Sequence, residues 1–213
     1  MGGKIKTLSP ETRFNSSMLE ISPDIDNLLR SSKPDQDLIV RAVVDRYRTP
    51  LYQLAVAILQ DADEAHDAVQ ETFITAMLNI HKYQVGTNFR AWIYRLALNT
   101  CRGHLRKRRT REMMQRSLMI AQSRIGKAES IEQTTLEQES ISDLWSAVDS
   151  LKDRHRLVVL LRFKQQLSIR EIAQVLETNE KTVYNRLYDA FRKLRVKLET
   201  SGDYVQVGKR FEL

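Results

Sequence analysis

The sequence predicts an all-α protein with two helical domains joined by a flexible linker, the second being a helix-turn-helix domain. Only 7 Gly and 4 Pro occur in 213 residues, and apolar residues recur at spacings of three and four without sustained alternation, as in amphipathic helices. Residues 129–140 are rich in Glu, Gln, Ser and Thr, a composition typical of linkers. Fully extended, this segment would span about 40 Å, so the two domains need not touch.

Composition and helical spacing divide the chain into five parts. The first part is polar and contains three of the four prolines, and we interpret it as a flexible or adaptable extension. The predicted order is an N-terminal extension at 1–36, a first domain at 37–115, a linker at 116–140, a helix-turn-helix domain at 141–198 and a C-terminal tail at 199–213.

The first domain is predicted to contain a series of capped helices. Apolar spacing predicts helix over 38–59, which Pro50 should end or kink, giving a broken helical pair. Asp61 is placed to cap the next helix, with Glu64 in capping-box position. Asn88 is placed to cap a further helix, which ends in a strongly basic segment.

The second domain carries the signals of a helix-turn-helix. Asp153 is a candidate cap for one helix, and Ser168 with Glu171 forms a capping-box pattern for the next. A three-residue turn at 177–179 precedes a last helix over about 180–198. DNA-binding domains place two helices across each other in this way, although structural packing alone would also explain the pattern.

The formal net charge of +7 is an average over blocks of opposite sign. Residues 61–80 carry −5 and residues 129–149 carry −6, whereas residues 87–127 carry +10 and residues 150–198 carry +7. Two basic bodies of this kind favour a polyanionic partner. The alternative is a pair of solvated helical surfaces.

Composition also argues against several classes of protein. No run approaches the roughly 18 apolar residues of a membrane span, so no membrane insertion is expected. Cys101 is the single cysteine, which rules out an intramolecular disulfide and a Cys-rich zinc module. No apolar segment follows the basic residues at the amino terminus, so no secretory signal is indicated. We therefore expect a cytoplasmic protein without a cofactor or a metal.

The last helix has the composition of a DNA-reading surface. Asn and Arg side chains can hydrogen-bond base edges, while Lys and Tyr reach phosphates. Glu177 stands where such turns often use Gly in a left-handed conformation, and Asp189 puts a negative charge near the phosphate side. The outward residues of this helix are Lys181, Tyr184, Asn185 and Tyr188, with Arg186 beside them.

A second basic surface follows a group of aromatic residues. The dense positive charge at 106–111 is repulsive unless an anion is bound. Aromatic rings beside a basic groove suit single-stranded nucleic acid. Phe89 and Trp92, however, have the spacing of core residues, and we assign both to the core.

The acidic residues at 61–71 allow two interpretations. Glu64, Asp67 and Glu71 share a helix face, and carboxylates so spaced can hold Mg²⁺. No second carboxylate helix and no phosphate-cradling Gly loop accompany them. A solvated face or a protein-docking face is therefore favoured over an enzyme site.

Four segments occur in a recognisable order: DAVQETF at 67–73, FRAWIYRLALN at 89–99, LSIREIA at 167–173 and TVYNRL at 182–187. With the basic helix end and the linker, this set resembles an extracytoplasmic-function (ECF) sigma factor of bacterial RNA polymerase, in the sigma-70 family. The resemblance implies that the first domain is sigma domain 2, which binds core polymerase and recognises and melts the minus-ten element. The second is then sigma domain 4, which reads the minus-thirty-five element.

The resemblance also assigns roles to individual residues. The residues implied to dock on the clamp helices of the polymerase largest subunit are Asp67, Gln70 and Glu71. The loop 81–88, with Asn99 behind it, falls where the family captures a flipped non-template base. The implied minus-ten residues are Asn88, Asn99, Arg102, Arg106, Lys107, Arg108 and Arg109. The implied minus-thirty-five residues are Arg170, Lys181, Thr182, Tyr184, Asn185, Arg186 and Tyr188.

The resemblance implies a non-catalytic initiation factor with three kinds of partner: core RNA polymerase, promoter DNA in double- and single-stranded form, and an anti-sigma factor acting in a stress or signal response. Gly103, Tyr184 and Asp189 depart from residues frequent in the family, and a mid-helix Gly costs about 1 kcal/mol relative to Ala. Two alternatives remain: a free-standing helix-turn-helix regulator that binds operator DNA as a dimer, and an enzyme built on the carboxylates at 61–71.

Overall fold

A computed structural model describes residues 25–31, 35–122 and 141–201, and these residues form helices and their connections without a strand. The predicted all-α fold is therefore confirmed. The first group of helices is α1 (Ile25–Arg30), α2 (Gln36–Leu59), α3 (Ala62–Leu78), a 3₁₀ turn (Ile80–Lys82) and α4 (Phe89–Gln122). The second group is α5 (Ile141–Asp149), α6 (Asp153–Val159), a π-helical turn (Leu160–Lys164), α7 (Ile169–Val175) and α8 (Glu180–Ser201).

None of the helices in these three ranges combines the length and the apolar character needed to cross a membrane.

Helix α2 is continuous, which corrects the expected break at Pro50. Proline removes one intrahelical hydrogen bond and costs roughly 3 kcal/mol in a helix interior. Here Tyr47 lies buried just before it, and Leu51 and Leu54 lie fully buried just after it. Burial of a large apolar side chain contributes about 1.5–3 kcal/mol, so the shared apolar face of the two halves outweighs the proline.

Two of the predicted helix caps in the first domain are present. The Asp61 carboxylate accepts a hydrogen bond from the backbone N–H of Glu64 at 2.8 Å, and the Asn88 side chain accepts one from the N–H of Ala91 at 2.9 Å. The Glu64 carboxylate faces the Arg108 guanidinium at 3.5 Å. The Glu64 side chain therefore contacts α4 instead of completing the predicted capping box.

The predicted domain boundaries differ from the observed helix ends. Helix α1 forms within the predicted extension and buries Ile25 against the first domain. Helix α4 continues to Gln122, beyond the boundary expected at 115. The rest of the extension (1–24 and 32–34), the remaining linker residues (123–140) and most of the C-terminal tail (202–213) lie outside the described residues.

The second domain closes around a small apolar interior. Its buried residues come from α6, the segment that follows it, α7 and α8, and they include Val158, Leu161, Leu167, Ile172, Val183 and Leu187. The predicted capping box is confirmed, because Ser168 Oγ accepts from the Glu171 N–H at 3.2 Å and the Glu171 carboxylate accepts from the Ser168 N–H at 2.7 Å. Asn179 caps α8 by accepting from the Thr182 N–H at 2.7 Å.

Two local details of the second domain follow from backbone geometry. Lys152, not Asp153, is the N-cap of α6, and it makes no side-chain cap bond. Asp153 is instead the first helical residue, where a carboxylate is favoured by the helix dipole. Glu177 has φ 51°, so the turn does use the left-handed conformation that Gly would adopt more readily.

The two domains contact each other, mainly where α4 meets α7 and the turn before it. The Tyr94 hydroxyl donates to Gln165 Oε1 at 2.9 Å, and the Arg90 guanidinium donates to the Gln165 carbonyl at 2.5 Å. Cys101, further along α4, is buried, and burial raises the pKa of its thiol to about 12. Helix α4 thus contributes to the core of the first domain and to the contact with the second.

Candidate functional site

The face of α3 opposite the core is acidic at one end and apolar at the other. Asp67, Gln70 and Glu71 are all exposed, because residues three and four apart lie on one side of a helix. Ile74 and Leu78 continue the same stripe with exposures of 61% and 69%. We did not single out these two from the sequence, although Ile74 lies four residues after Gln70 and Leu78 four residues after Ile74, which is the spacing of one helix face.

The carboxylates of this stripe do not form a metal centre. Within the ranges that the structure describes, no group of three or more His, Cys, Asp or Glu is arranged to hold a metal ion. Glu71 instead lies 3.0 Å from His104 Nε2, a contact that links the stripe to α4. The acidic face is thus an exposed part of α3 that contacts α4 through Glu71.

The basic end of α4 contains one residue whose role differs from that of its neighbours. Arg102, Arg106, Lys107 and Arg109 are exposed. Arg108 donates to the Leu59 carbonyl at 3.0 Å and approaches Glu64 at 3.5 Å. Its guanidinium therefore joins the end of α2 to α3, and it is held by protein groups rather than presented to an anion.

The loop 81–88 borders a cavity of about 350 Å³ at the start of α4. Tyr83, Thr87, Asn88 and Trp92 are among its lining residues. The Tyr83 ring centroid lies 5.1 Å from that of Phe89 and 5.4 Å from that of Trp92, distances typical of aromatic pairs. Phe89 is buried as predicted, whereas Trp92 is only half-buried, so its assignment to the core is correct for only part of its surface.

Residues at the start of α4 are also bonded to the second domain. Asn88 Nδ2 donates to the Glu171 carboxylate at 3.3 Å, and Arg95 pairs with Glu177 at 3.3 Å. Burial opposes ionisation of Glu171, but hydrogen bonds from Ser168 and Asn88 and the charge of Arg90 outweigh it and hold the pKa of this carboxyl below its usual value. The structure thus brings the predicted minus-ten residue Asn88 against helix α7.

Helix α8 presents a polar and aromatic face away from its core. Tyr184 and Tyr188 have exposures of 52% and 69%, and Thr182 is half-buried at the edge of this face. Asp189 pairs with Arg192 at 3.3 Å, which offsets the negative charge noted in the sequence. The other exposed residues of the predicted surface are Lys181 and Asn185 on α8 and Arg170 on α7.

Arg186 is placed apart from this face. It lines a cavity of about 320 Å³ between the domains, together with Arg102, Arg154 and Arg156. From the sequence, Arg186 is predicted to belong with the DNA-reading residues because it is their neighbour in the chain. A neighbour in the chain lies about 100° around a helix, which directs this side chain towards the first domain.

Comparison with known protein families gives two matches in the order of the two domains. Residues 43–111 match the family described as Sigma-70 region 2, and residues 141–194 match Sigma-70, region 4. These ranges hold the α3 stripe, the loop 81–88 and the basic part of α4 in the first, and α7 with most of α8 in the second. A free-standing helix-turn-helix regulator would not explain the first match.

Curated relatives agree with both matches. The chain is 27% identical to RNA polymerase sigma factor SigV of Bacillus subtilis, over 80% of this chain and 96% of the relative. It is 30% identical to ECF RNA polymerase sigma factor EcfG of Rhodopseudomonas palustris, over 71% of this chain and 81% of the relative.

Solved structures agree on the fold. CnrH, in complex with the cytosolic domain of CnrY, superposes with a TM-score of 0.60 at 23% identity, over 83% of this chain and 99% of that chain. RpoE of Bartonella quintana, in complex with the anti-sigma factor NepR, superposes with a TM-score of 0.56 at 19% identity, over 75% of this chain and 96% of that chain. With both regions in order and a relative of this identity and coverage, the chain belongs to the ECF sigma factors of RNA polymerase, within the sigma-70 family.

Proposed function

We propose that this sigma factor divides its work between three surfaces. The α3 stripe (Asp67, Gln70, Glu71, Ile74 and Leu78) docks on core RNA polymerase. The loop 81–88 and helix α4 recognise and melt the minus-ten element, and helix α8 reads the minus-thirty-five element. The observation that carries the proposal is the exposure of an acidic stripe and a basic helix end by two neighbouring helices of one domain.

The α3 stripe suits a partner that is basic and partly apolar, as we propose for the clamp helices of the polymerase largest subunit. Asp67 and Glu71 would pair with cationic side chains, and the exposed surface of Ile74 and Leu78 would be covered. Complementary charge governs encounter and register, while buried apolar contacts slow dissociation. The α3 stripe can therefore contribute both the charge that guides encounter and the apolar contact that slows dissociation.

Charge reversal tests this docking surface. Asp67→Lys and Glu71→Lys should each weaken binding to sigma-free core polymerase by tenfold or more, measured by fluorescence anisotropy of the labelled chain. Asp45→Lys is the matched control, because Asp45 is exposed on α2, outside the stripe. Equal binding by all three variants would remove the stripe from the docking surface.

The basic end of α4 is proposed to hold the DNA backbone through Arg102, Arg106, Lys107 and Arg109. Each phosphate contact that is lost should reduce the salt slope of promoter binding by roughly one unit. Replacing Arg106, Lys107 and Arg109 by Ala should therefore lower the slope by about three. Arg108→Ala should leave the slope unchanged, because its guanidinium bonds Leu59 and Glu64; a slope lowered by Arg108→Ala alone would contradict this division.

The contacts between the domains bear on promoter access. Asn88 and Arg95 are bonded to Glu171 and Glu177, and the same part of α4 would have to face DNA. We therefore propose that the domains separate when the factor joins polymerase. By analogy with RpoE bound to the anti-sigma factor NepR, we further propose that an anti-sigma protein restrains this factor, within a stress or signal response.

We propose that the protein catalyses no reaction of its own and requires no cofactor. We also propose that it acts in the cytoplasm, where bacterial polymerase meets DNA. Its test is reconstitution. Sigma-free core polymerase with the purified chain should yield discrete transcripts from fragments of the source genome, mapped by their 5′ ends. A complete lack of specific transcripts, with core binding intact, would refute promoter selection.

A further inference from the structure

Helix α1 is a docked element of the first domain. Its first residue, Ile25, is 4% exposed, and Leu28 and Leu29 pack against the buried cluster of the domain. Three apolar anchors in six residues fix this short helix against α2. The polar residues between them are consequently held in fixed positions relative to the rest of the domain.

Asp26 uses that position to reach the loop 81–88. Its Oδ1 accepts from the Tyr83 hydroxyl at 2.8 Å and lies 3.4 Å from the Gly86 N–H. The Tyr83 hydroxyl also lies 3.0 Å from the Thr87 carbonyl, so its single hydrogen is shared between two acceptors. One carboxylate therefore contacts the loop at two residues that are three apart.

Gly86 gives α1 a further point of contact with the loop. Its φ of +90° is a conformation that residues with a side chain rarely adopt. A Cβ at this position would also stand 3.0 Å from Arg30 Nη2. The loop is thus shaped at Gly86 to pass close beneath α1.

The restrained loop is the same loop that borders the 350 Å³ cavity. Tyr83 is 6% exposed and packs on Trp92, which lines the cavity with Asn88. A displacement of about 1 Å in a group that orients a bound molecule has large effects on rate. Anything that fixes the Tyr83 hydroxyl and the Gly86 backbone therefore fixes one wall of the cavity.

We propose that Asp26 is a positioning residue for promoter opening: through Tyr83 and Gly86 it holds the loop 81–88 in the shape that accepts a flipped base. The inference rests on the proposed role of this loop. It assigns a function to part of the N-terminal extension, which lies outside both matched regions. Asp26 acts on DNA only through the loop.

The test uses the full chain bound to core polymerase on a promoter mapped by the reconstitution. Opening is followed by 2-aminopurine placed in the non-template strand of the minus-ten element. Asp26→Ala should slow opening about tenfold with polymerase affinity unchanged. Asp26→Asn should recover most of the rate, because an amide oxygen still accepts from Tyr83 and Gly86. Asp45→Ala, an exposed α2 carboxylate, is the matched control and should open normally.

Tyr83→Phe gives an independent arm that does not depend on α1 remaining docked, because it keeps the ring packing and removes only the hydroxyl. It should slow opening in the same direction, and Asp26→Ala should add little to it. In Asp26→Ala and in Tyr83→Phe, the opening rates with each of the four bases at the flipped position should differ less from one another. A purely structural role would lower opening on all four bases equally.

Three outcomes decide the matter. Normal opening by Asp26→Ala and Tyr83→Phe would overturn the inference while leaving the role of the loop intact. Slow opening with the base preference unchanged, and without rescue by Asp26→Asn, would also overturn it, in favour of a structural role. Normal opening by Trp92→Ala and Asn88→Ala would overturn the proposed role of the loop, and the inference with it.

Discussion

The interior of each domain and the contact between the domains are built differently. Leu51 in the first domain and Leu161 in the second are completely buried among apolar neighbours. The contact instead carries hydrogen bonds and ion pairs along α4, and it includes cavities of about 610 and 320 Å³. Four arginines and Asp153 are among the residues that line the smaller cavity. Close packing characterises permanent interiors, whereas polar, loosely packed contacts between domains permit relative motion.

The largest effect is expected from a substitution in the interior of a domain. Leu161→Ala should lower the free energy of unfolding of the second domain by about 2–5 kcal/mol, because a buried leucine is replaced by a cavity. Urea unfolding, followed by the fluorescence of Trp145 in a Trp92→Phe background, measures it. Leu78→Ala serves as control: Leu78 is 69% exposed, and its loss should change stability by less than about 0.5 kcal/mol.

A smaller effect is expected from removing one hydrogen bond of the contact between the domains. Arg90→Ala removes the donor to the Gln165 carbonyl, and a hydrogen bond to a charged group contributes about 1.5–3 kcal/mol. Because the Arg90 side chain is partly exposed, we expect about a tenfold shift towards separated domains while each domain stays folded. Energy transfer between labels at Asp45→Cys and Glu180→Cys reports the separation. Arg41→Ala is the control on exposed α2 surface; equal transfer in both variants would mean that the contact does not depend on Arg90.

A polar group inside an interior should respond differently. His155 is 1% exposed, and burial, with the charges of Lys193 and Arg154, lowers its pKa from 6.5. The folded domain therefore binds a proton at His155 less readily than the unfolded chain, which takes one up below about pH 6.5. Stability should be unaffected above this pH and fall below it, by at most about 1.4 kcal/mol per pH unit. His155→Gln should reduce that slope; an unchanged slope would assign the acid sensitivity to other groups.

The smallest effect is expected at Gly103, which belongs neither to the interior of a domain nor to the contact between the domains. A Cβ at Gly103 would meet no atom within 4 Å, and Gly in a helix interior is less stable than Ala by about 0.5–1 kcal/mol. Gly103→Ala should therefore stabilise the first domain by that amount and leave energy transfer between the domains unchanged. A loss of stability would show that Gly103 has a packing role.

Local chemistry was the most predictable part of the fold. Asp61, Asn88 and Ser168 were predicted to cap helices and do so, because short polar side chains bond the free N–H groups at helix starts. The failure at Pro50 has the opposite cause: apolar burial on both sides of the proline is a tertiary effect that local rules do not include. The α3 stripe was only partly foreseen, because exposed Ile74 and Leu78 look like core residues in a sequence.

The direction of side chains was the least predictable feature. Arg108 belongs to a basic run and Arg186 to the predicted DNA-reading helix, yet the first bonds the end of α2 and the second faces the cavity between the domains. Charge counts do not distinguish an arginine that holds the protein together from one that awaits a phosphate. Asp26 was missed for a similar reason: its partners, Tyr83 and Gly86, are 57 and 60 residues away.

The burial of Cys101 has a consequence for how signals reach this protein. Oxidants and disulfide exchange act on thiolates, and a thiol with a pKa of about 12 in a buried position offers almost none. Because Cys101 is the single cysteine, the chain carries no second thiol with which to form a bond of its own. An oxidant that acts through thiols would therefore have to be sensed by another molecule, which would pass the signal to this factor by contact.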